Sequence, residues 1–240
     1  MVIPAFNEAA RIGRTVEEVL GHLARGFRRF EVILVDDGST DGTLEAVAGD
    51  RATLRCLRNP VNRGKGFSVR EGLKAARFDP ILFTDADLST PIEEAAKLLE
   101  AIDAGSDLAI GSRRSPGSSV QRSLLRRLLG WGFAHLVSVT AVNGFRDTQC
   151  GFKLFRRSAA EEVLPFLTID RWGFDVEILT VARRRGLRVA EVAVRWKQSG
   201  KSGIRFATPI EMALELFRIR RNLRRGTYGP PSGKVPSRSP

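Results

Sequence analysis

The stretch Ile81-Leu82-Phe83-Thr84-Asp85-Ala86-Asp87-Leu88-Ser89-Thr90-Pro91 constrains the fold more than any other part of the chain. An apolar run ends abruptly in two carboxylates one residue apart. Ser-Thr-Pro follows, and then a helix-like segment from Ile92 to Ala104. The run reads as a buried strand, with Thr90 and Pro91 as N-cap and first helical residue. In an open α/β sheet, ligands bind beyond the carboxyl ends of strands. Asp85 and Asp87 are therefore delivered to a mouth and not to a core. Two hard oxygen donors there suit Mg²⁺ or Mn²⁺, which proteins hold through one or two carboxylates plus substrate phosphates. Taken alone, Asp-x-Asp also fits a capping Asp with a solvated neighbour.

The rest of the first half repeats the pattern. Met1 to Pro4 reads as a short strand, and Ala5 to Glu8 as a turn. An amphipathic helix then reaches about Leu23, with Ile12, Val16, Val19, Leu20 and Leu23 at helical spacing. Phe30 to Val35 reads as a second strand, nearly all apolar as in a parallel sheet. It ends in the turn-rich Asp36-to-Thr43, which is expected to cap the next helix. Leu54 to Leu57 is a further strand, followed by Asn62-Arg63-Gly64-Lys65-Gly66 and a helix to about Arg77. Asp107 to Ile110 is another strand, running into Gly111-Ser112-Arg113-Arg114. Strand and helix alternate, which predicts an α/β fold with a mostly parallel central sheet covered by helices.

The second half changes character. A flexible loop is expected at Ser115 to Ser119, a long helix from Gln121 to about Val142, and a loop with strand content from Gly144 to Phe155. A helix from Gly173 to Arg185, a strand from Leu187 to Trp196 and a last helix from Pro209 to about Leu223 complete the domain. Ser199 to Gly203 is a glycine-rich loop, and 226–240 reads as a disordered basic tail. The expected division is one domain over 1–225, with a ligand-binding half to 114, a second half from 115, and the tail.

Composition narrows the class. The chain of 240 residues has 39 Lys and Arg against 27 Asp and Glu, a net charge of +12. That excess is local: seven Lys/Arg and no acid from Arg218 to Pro240, six Arg and no acid from Gly111 to Arg146. Such patches suit phosphorylated ligands, an anionic membrane face or nucleic acid. The last is disfavoured, because no aromatic residues interleave the basic ones as single-strand binders require. Cys56 and Cys150 form neither a disulfide framework nor a metal spacing. No signal peptide and no membrane span are expected; the most apolar stretch, Leu128 to Val142, is too short.

Three predicted strands thus end in Asp36-Asp37, Asp85-Ala86-Asp87 and Ser112-Arg113, and in a parallel sheet those ends share one edge. Carboxylates, a metal and an arginine converging on one crevice are what a nucleotide diphosphate requires. The Walker pattern is absent, and Gly64 and Gly66 read as tight-turn and packing residues.

In that order, Pro4-Ala5-Phe6-Asn7-Glu8, Val35-to-Thr43, Asn62-x-Gly64-Lys65-Gly66 and Asp85-Ala86-Asp87 resemble the hallmarks of family 2 glycosyltransferases. Gln121-Arg122-Ser123, Arg146-to-Phe155 and Arg171-Trp172-x-Phe174-Asp175-Val176-Glu177 resemble the dolichyl-phosphate β-glucosyltransferase branch, close kin of the mannose synthases. The resemblance covers Val2 to about Arg224. It implies a Rossmann-like, GT-A type domain moving a hexose with inversion onto a polyprenyl or dolichyl phosphate. Glucose from UDP-glucose is favoured, GDP-mannose stays open, and so does a soluble acceptor. It implies that Pro4, Phe6, Glu8, Val35 and Asp37 line the nucleotide pocket, and that Asp85 and Ala86 contact the donor. Asp85 and Asp87 would hold Mg²⁺ or Mn²⁺. Arg113, Arg195 and Lys201 match donor or phosphate contacts, Gln149 a further substrate contact, and Arg122 and Arg126 the acceptor phosphate. Asp87, Arg113 and Asp175 are the implied catalytic residues, Asp175 orienting the sugar first and acting as base second. Where mannose synthases have a further metal-reaching Gln, this chain has Ser89. A lipid acceptor implies peripheral attachment to the cytoplasmic face of a membrane. The basic helix ending in Arg218, Arg220, Arg221, Arg224 and Arg225 is the expected contact, with Ile210, Ala213, Leu214, Phe217 and Leu223 near one face.

Overall fold

The computed structural model describes residues 1–47, 52–121, 144–197 and 208–229. The expected Gln121-to-Val142 helix and Ser199-to-Gly203 loop lie outside them, except that Gln121 ends a short strand. So do Arg122, Arg126 and Lys201.

Four of the strands that share one direction are buried along their whole length: β1 (Val2–Ala5), β2 (Val32–Asp36), β4 (Ile81–Thr84) and β5 (Leu108–Ser112). Covered on both faces, they read as continuous apolar runs. β3 (Leu54–Arg58) and β8 (Val189–Ala193) are less buried, because they form the two edges. The sheet order is β3-β2-β1-β4-β7-β5-β8, and all pairs are parallel except those made by β7 (Phe152–Phe155). β7 runs antiparallel between β4 and β5, placing Lys153 opposite both Phe83 and Ile110. The sheet therefore draws strands from both halves of the chain.

Alternate residues of each strand feed opposite faces. Ile3, Leu34, Leu82 and Leu154 face α1 (Ala9–Gly26) and α3 (Ala95–Asp103). Val2, Ile33, Phe83 and Phe155 face α2 (Lys65–Ala75), α4 (Arg157–Val163), α5 (Phe174–Arg184) and α6 (Thr208–Arg224). The buried stripe of α1 is Ile12, Thr15, Val16, Val19 and Leu23, close to the predicted one.

Four local expectations need correction. The Asp36-to-Thr43 segment caps the helix before it: Thr43 Oγ1 accepts from Glu8 N (2.9 Å) and Asp41 Oδ2 from Ala9 N (3.0 Å). These bonds satisfy N–H groups that open the first turn of α1, which has no side-chain cap of its own. Among the described residues, only a 3-10 turn, Glu45–Val47, follows that segment. Pro91, not Thr90, is the extended cap residue, and a 3-10 turn at Ile92–Glu94 leads into α3. The Leu187-to-Trp196 strand is two: after β8 the chain leaves the large sheet at the buried Val194, and β9 (Arg195–Lys197) pairs with β6 (Ser119–Gln121).

The fourth correction concerns the C-terminus. Leu216, Ile219 and Asn222 form the buried face of α6, while Leu214 (65% exposed) and Phe217 (56%) point outward. Two apolar stripes at helical spacing coexist in this helix: of the predicted face Leu214 and Phe217 lie outside, whereas Leu223 packs against the core. Tyr228, assigned to the disordered tail by the sequence, is buried. Its hydroxyl donates to Glu177 Oε1 (2.8 Å), and Glu177 Oε2 also accepts the Thr168 and Ile169 N–H groups (each 2.8 Å). Glu177 is thus a structural anchor that ties the C-terminus to α5.

Candidate active site

β1, β2, β4 and β5 share one direction, so their carboxyl ends open on one edge, joined there by the first turns of α2 and α5. At the centre is a row of alternating charges. Lys65 Nζ, from the start of α2, stands 2.5 Å from Asp85 Oδ1. The contact lies off the hydrogen-bond axis, so that buried oxygen has no aligned donor. Asp175, in the first turn of α5, is buried and ion-paired with Lys153 Nζ, which also donates to Cys150 O (2.7 Å). Burial pushes the Asp175 carboxyl above its ordinary range, against the opposing pull of Lys153 and Lys65. Burial lowers Lys65, but Asp85, Asp175 and Asp87 outweigh it, and the ammonium is held above its usual value. Its flanks are aromatic, with the Phe174 and Phe83 ring centres 5.6 and 6.0 Å from Nζ.

Backbone constraints fix this geometry. A Cβ on Gly151 would lie 2.2 Å from Asp85 Oδ2, so the carboxylate occupies space that only glycine leaves. Gly64 has φ +107°, and a Cβ on Gly66 would meet Phe174 Cβ at 2.6 Å, which are the turn and packing roles read for them. Asp87 is oriented by Ser89, whose N and Oγ donate to Oδ1 and Oδ2 (each 2.9 Å). Ser89 thus acts on Asp87 itself. Glu8 pairs with Arg11 at 2.7 Å; burial lifts its carboxyl, and Asp87 and Asp85 add to the rise, so the three carboxylates share one electrostatic neighbourhood.

Other predicted residues are committed to protein partners. Asp37 is buried and accepts from Asn59 Nδ2 (2.7 Å), Arg63 N (3.0 Å) and Gly64 N (2.7 Å), shaping the loop that carries Lys65. Val35 lies in the core, with a methyl 3.1 Å from where a Gly72 Cβ would be; its side chain does not line the crevice, because both faces of β2 are covered. Pro4 and Ala86 are buried as well, whereas Phe6 is exposed. Arg113 forks onto Asp147, with Nε to Oδ2 at 2.6 Å and Nη2 to Oδ1 at 2.7 Å. Burial opposes both charges, but each partner stabilises the other more, so Arg113 is held up and Asp147 well below the carboxylate range. This bidentate pair occupies the edge of the guanidinium that was expected to grip a phosphate. Arg195 is bonded to the buried Glu94 (Nε to Oε1, 2.5 Å), and β9 docks on the Asp87 turn through Lys197 N to Ser89 O (2.8 Å). Gln149 is partly buried, its N–H donating to Asp147 Oδ1 at 3.3 Å.

Sequence reasoning missed Lys65 and Lys153 as site residues. The available signal for Lys153 was a lone charge inside the apolar Phe152-Lys-Leu-Phe155 strand, since lysine is almost never fully buried unless paired.

Among the described residues no group of three His, Cys, Asp or Glu could enclose a metal. Asp85 and Asp87 nonetheless fit one. They offer hard oxygens at one strand end, one of them without an aligned donor, and Mg²⁺-type ions complete their shell with substrate phosphate and water.

The family profile described as "Glycosyl transferase family 2" matches residues 1–164. Dolichyl-phosphate beta-glucosyltransferase of Homo sapiens is 36% identical over 244 residues, covering 92% of this chain and 74% of that protein. The Saccharomyces cerevisiae protein of the same name is 34% identical over 252 residues, covering 95% and 75%. Among solved structures, glucosyl-3-phosphoglycerate synthase from Mycobacterium tuberculosis with UDP has a TM-score of 0.67 at 21% identity, covering 97% of this chain and 80% of that one. Mannosyl-3-phosphoglycerate synthase from Rubrobacter xylanophilus has a TM-score of 0.65 at 21% identity, covering 94% and 74%. These two likenesses show the fold, a Rossmann-like sheet of GT-A type.

Proposed function

The chain belongs to glycosyl transferase family 2, and from that premise we propose that it is an inverting hexosyltransferase. It moves glucose from UDP-glucose onto a polyprenyl or dolichyl phosphate. The observation that carries this reading is the likeness to dolichyl-phosphate glucosyltransferases over more than nine-tenths of the chain, a span that includes the whole charged row. Residues 1–114 then serve chiefly the donor and 115–225 chiefly the acceptor.

The acceptor phosphate oxygen attacks the anomeric carbon. A new C–O bond forms as the bond to the nucleoside diphosphate breaks. A phosphate monoester has its second pKa near 6, so the nucleophile is ionised at neutral pH and no strong base is required. Asp175 then orients the sugar. Lys65, with Asp85 beside it, is the cation on hand for the leaving diphosphate, in place of Arg113, whose fork is spent on Asp147. Asp85 and Asp87 would hold Mg²⁺ or Mn²⁺, which supplies charge neutralisation on the diphosphate when bound. Arg122, Arg126 and Lys201 remain proposed phosphate contacts.

UDP-glucose with Mn²⁺ is expected to protect the protein against heat unfolding. At a hundredfold excess over Kd, the gain is about 2.7 kcal/mol. DNA and RNA are expected to give none. Protection by nucleic acid without protection by UDP-glucose contradicts the reading.

A lipid acceptor requires contact with a bilayer. No helix among the described residues is long and apolar enough to cross a membrane. We assign the contact to the outer face of α6, where the exposed Leu214, Phe217, Arg218 and Arg221 share one side, with Arg225 in the turn that follows. Glu215 Oε2 accepts from Gly173 N (2.7 Å), which sets the Leu214–Phe217 end beside the crevice; the arginines extend away from it. Attachment is to the cytoplasmic face, where anionic lipids contribute about 1 kcal/mol per Lys or Arg. Leu214→Ser with Phe217→Ser is expected to weaken co-sedimentation with anionic vesicles at low salt without changing the melting temperature. Equal sedimentation of variant and wild type rules this face out. Cutting the chain after Phe217 is no substitute, because it deletes the buried Ile219 and Tyr228.

A further inference from the structure

We propose that Lys153 is a positioning residue for transfer: it holds the Asp175 carboxylate in place and so leaves Lys65 to Asp85 and the crevice. This rests on the proposed role of Asp175. Lys153 lies mid-strand in the one antiparallel strand of the large sheet, with its side chain fully buried. Its ammonium is 5.4 Å from the Phe83 ring centre and has two described acceptors, Cys150 O and the Asp175 carboxylate. Leu154 and Phe155 beside it are ordinary core residues. A fold that needed only volume here would use another apolar side chain, since replacing a buried ion pair by hydrophobic groups is often neutral or stabilising.

The charges facing Asp175 give the lysine its task. Lys153 reaches it from β7 and Lys65 from α2, while Asp85 repels it from the end of β4. Asp175 and Asp85 therefore compete for Lys65. While Lys153 satisfies Asp175 from below, Lys65 stays 2.5 Å from Asp85, at the open end of the row. Without Lys153, the buried Asp175 draws Lys65 inward, away from the position where a leaving diphosphate would meet it. A displacement of about 1 Å in such a group can lower turnover about a hundredfold.

Three variants test this: Lys153→Met, Asp175→Asn and the two combined, each followed by transfer kinetics, donor affinity by calorimetry and thermal unfolding. Each single change breaks the buried ion pair and lowers the melting temperature; the double removes both charges and recovers it. All three are expected to lose about a hundredfold in kcat, with the double no worse than either single, as for residues acting as one unit. Ground-state donor affinity should change far less than kcat. If the double variant regains wild-type turnover along with stability, the pair is only structural and the proposal is overturned. Wild-type kcat in Asp175→Asn or in Lys153→Met overturns it too. A wild-type chain that transfers to no polyprenyl phosphate contradicts the functional reading instead. The same series is then scored on hydrolysis of UDP-glucose, where the same pattern supports the proposal and unequal losses overturn it.

Discussion

Asp87→Asn is expected to lower transfer about a thousandfold, equivalent to about 4 kcal/mol of transition-state stabilisation. The substitution keeps the volume and an oxygen that can still accept from Ser89 N, which now bonds Oδ1 at 2.9 Å. Asp87 is only partly buried, so the melting temperature should hold to within the worth of one hydrogen bond, about 1 kcal/mol. The loss is a formal charge beside Asp85, where the carboxylates of Asp85, Asp87 and Asp175 outnumber the ammonium groups of Lys65 and Lys153. That surplus suits a divalent cation, and with the cation in place the site can accept a diphosphate that it would otherwise repel. Turnover and thermal unfolding measured on the same preparation separate a chemical effect from a folding one. Near-normal turnover of the variant, or full wild-type activity in EDTA, contradicts the assignment of Asp85 and Asp87 to a metal.

How far the site could be read from the sequence depended on whether each contact is local. The strand ends were legible because strands buried on both faces leave uninterrupted apolar runs, and a carboxylate closing such a run marks the sheet edge. Gly64 and Gly66 were legible for a similar reason: glycines flanking the first residue of a helix signal a turn and a close approach. The Arg113–Asp147 fork was not, since 34 residues separate the partners and either could have faced a ligand. Nor was the capping of α1 by Asp41 and Thr43, whose own stretch reads equally well as a cap for a helix on its C-terminal side. β7 was legible only as strand content in a loop, because a four-residue strand with a lysine inside carries little periodic signal. Only the tertiary pairing with Asp175 makes that lysine tolerable. In α6, both the Leu214–Phe217 and the Leu216–Ile219 spacings are helical. Which one faces the core is decided by the Glu215 bond to Gly173 and by Tyr228 docking on Glu177.

The second large effect is donor and acceptor choice, and it bears on the central claim. The purified chain, given Mg²⁺ or Mn²⁺ and a short polyprenyl phosphate in detergent, is to be offered UDP-glucose and GDP-mannose separately. A soluble phosphorylated acceptor, 3-phosphoglycerate, serves as the competing substrate. A site that leaves the hydrogen-bonding groups of the wrong base or sugar unpaired can discriminate by about 10⁴. The expected result is a glucosyl lipid phosphate from UDP-glucose, with the anomeric configuration inverted, and with GDP-mannose and the soluble acceptor turned over at background rates. Mannose transfer from GDP-mannose in preference to glucose, or glucose transfer to 3-phosphoglycerate but not to the lipid phosphate, would contradict it.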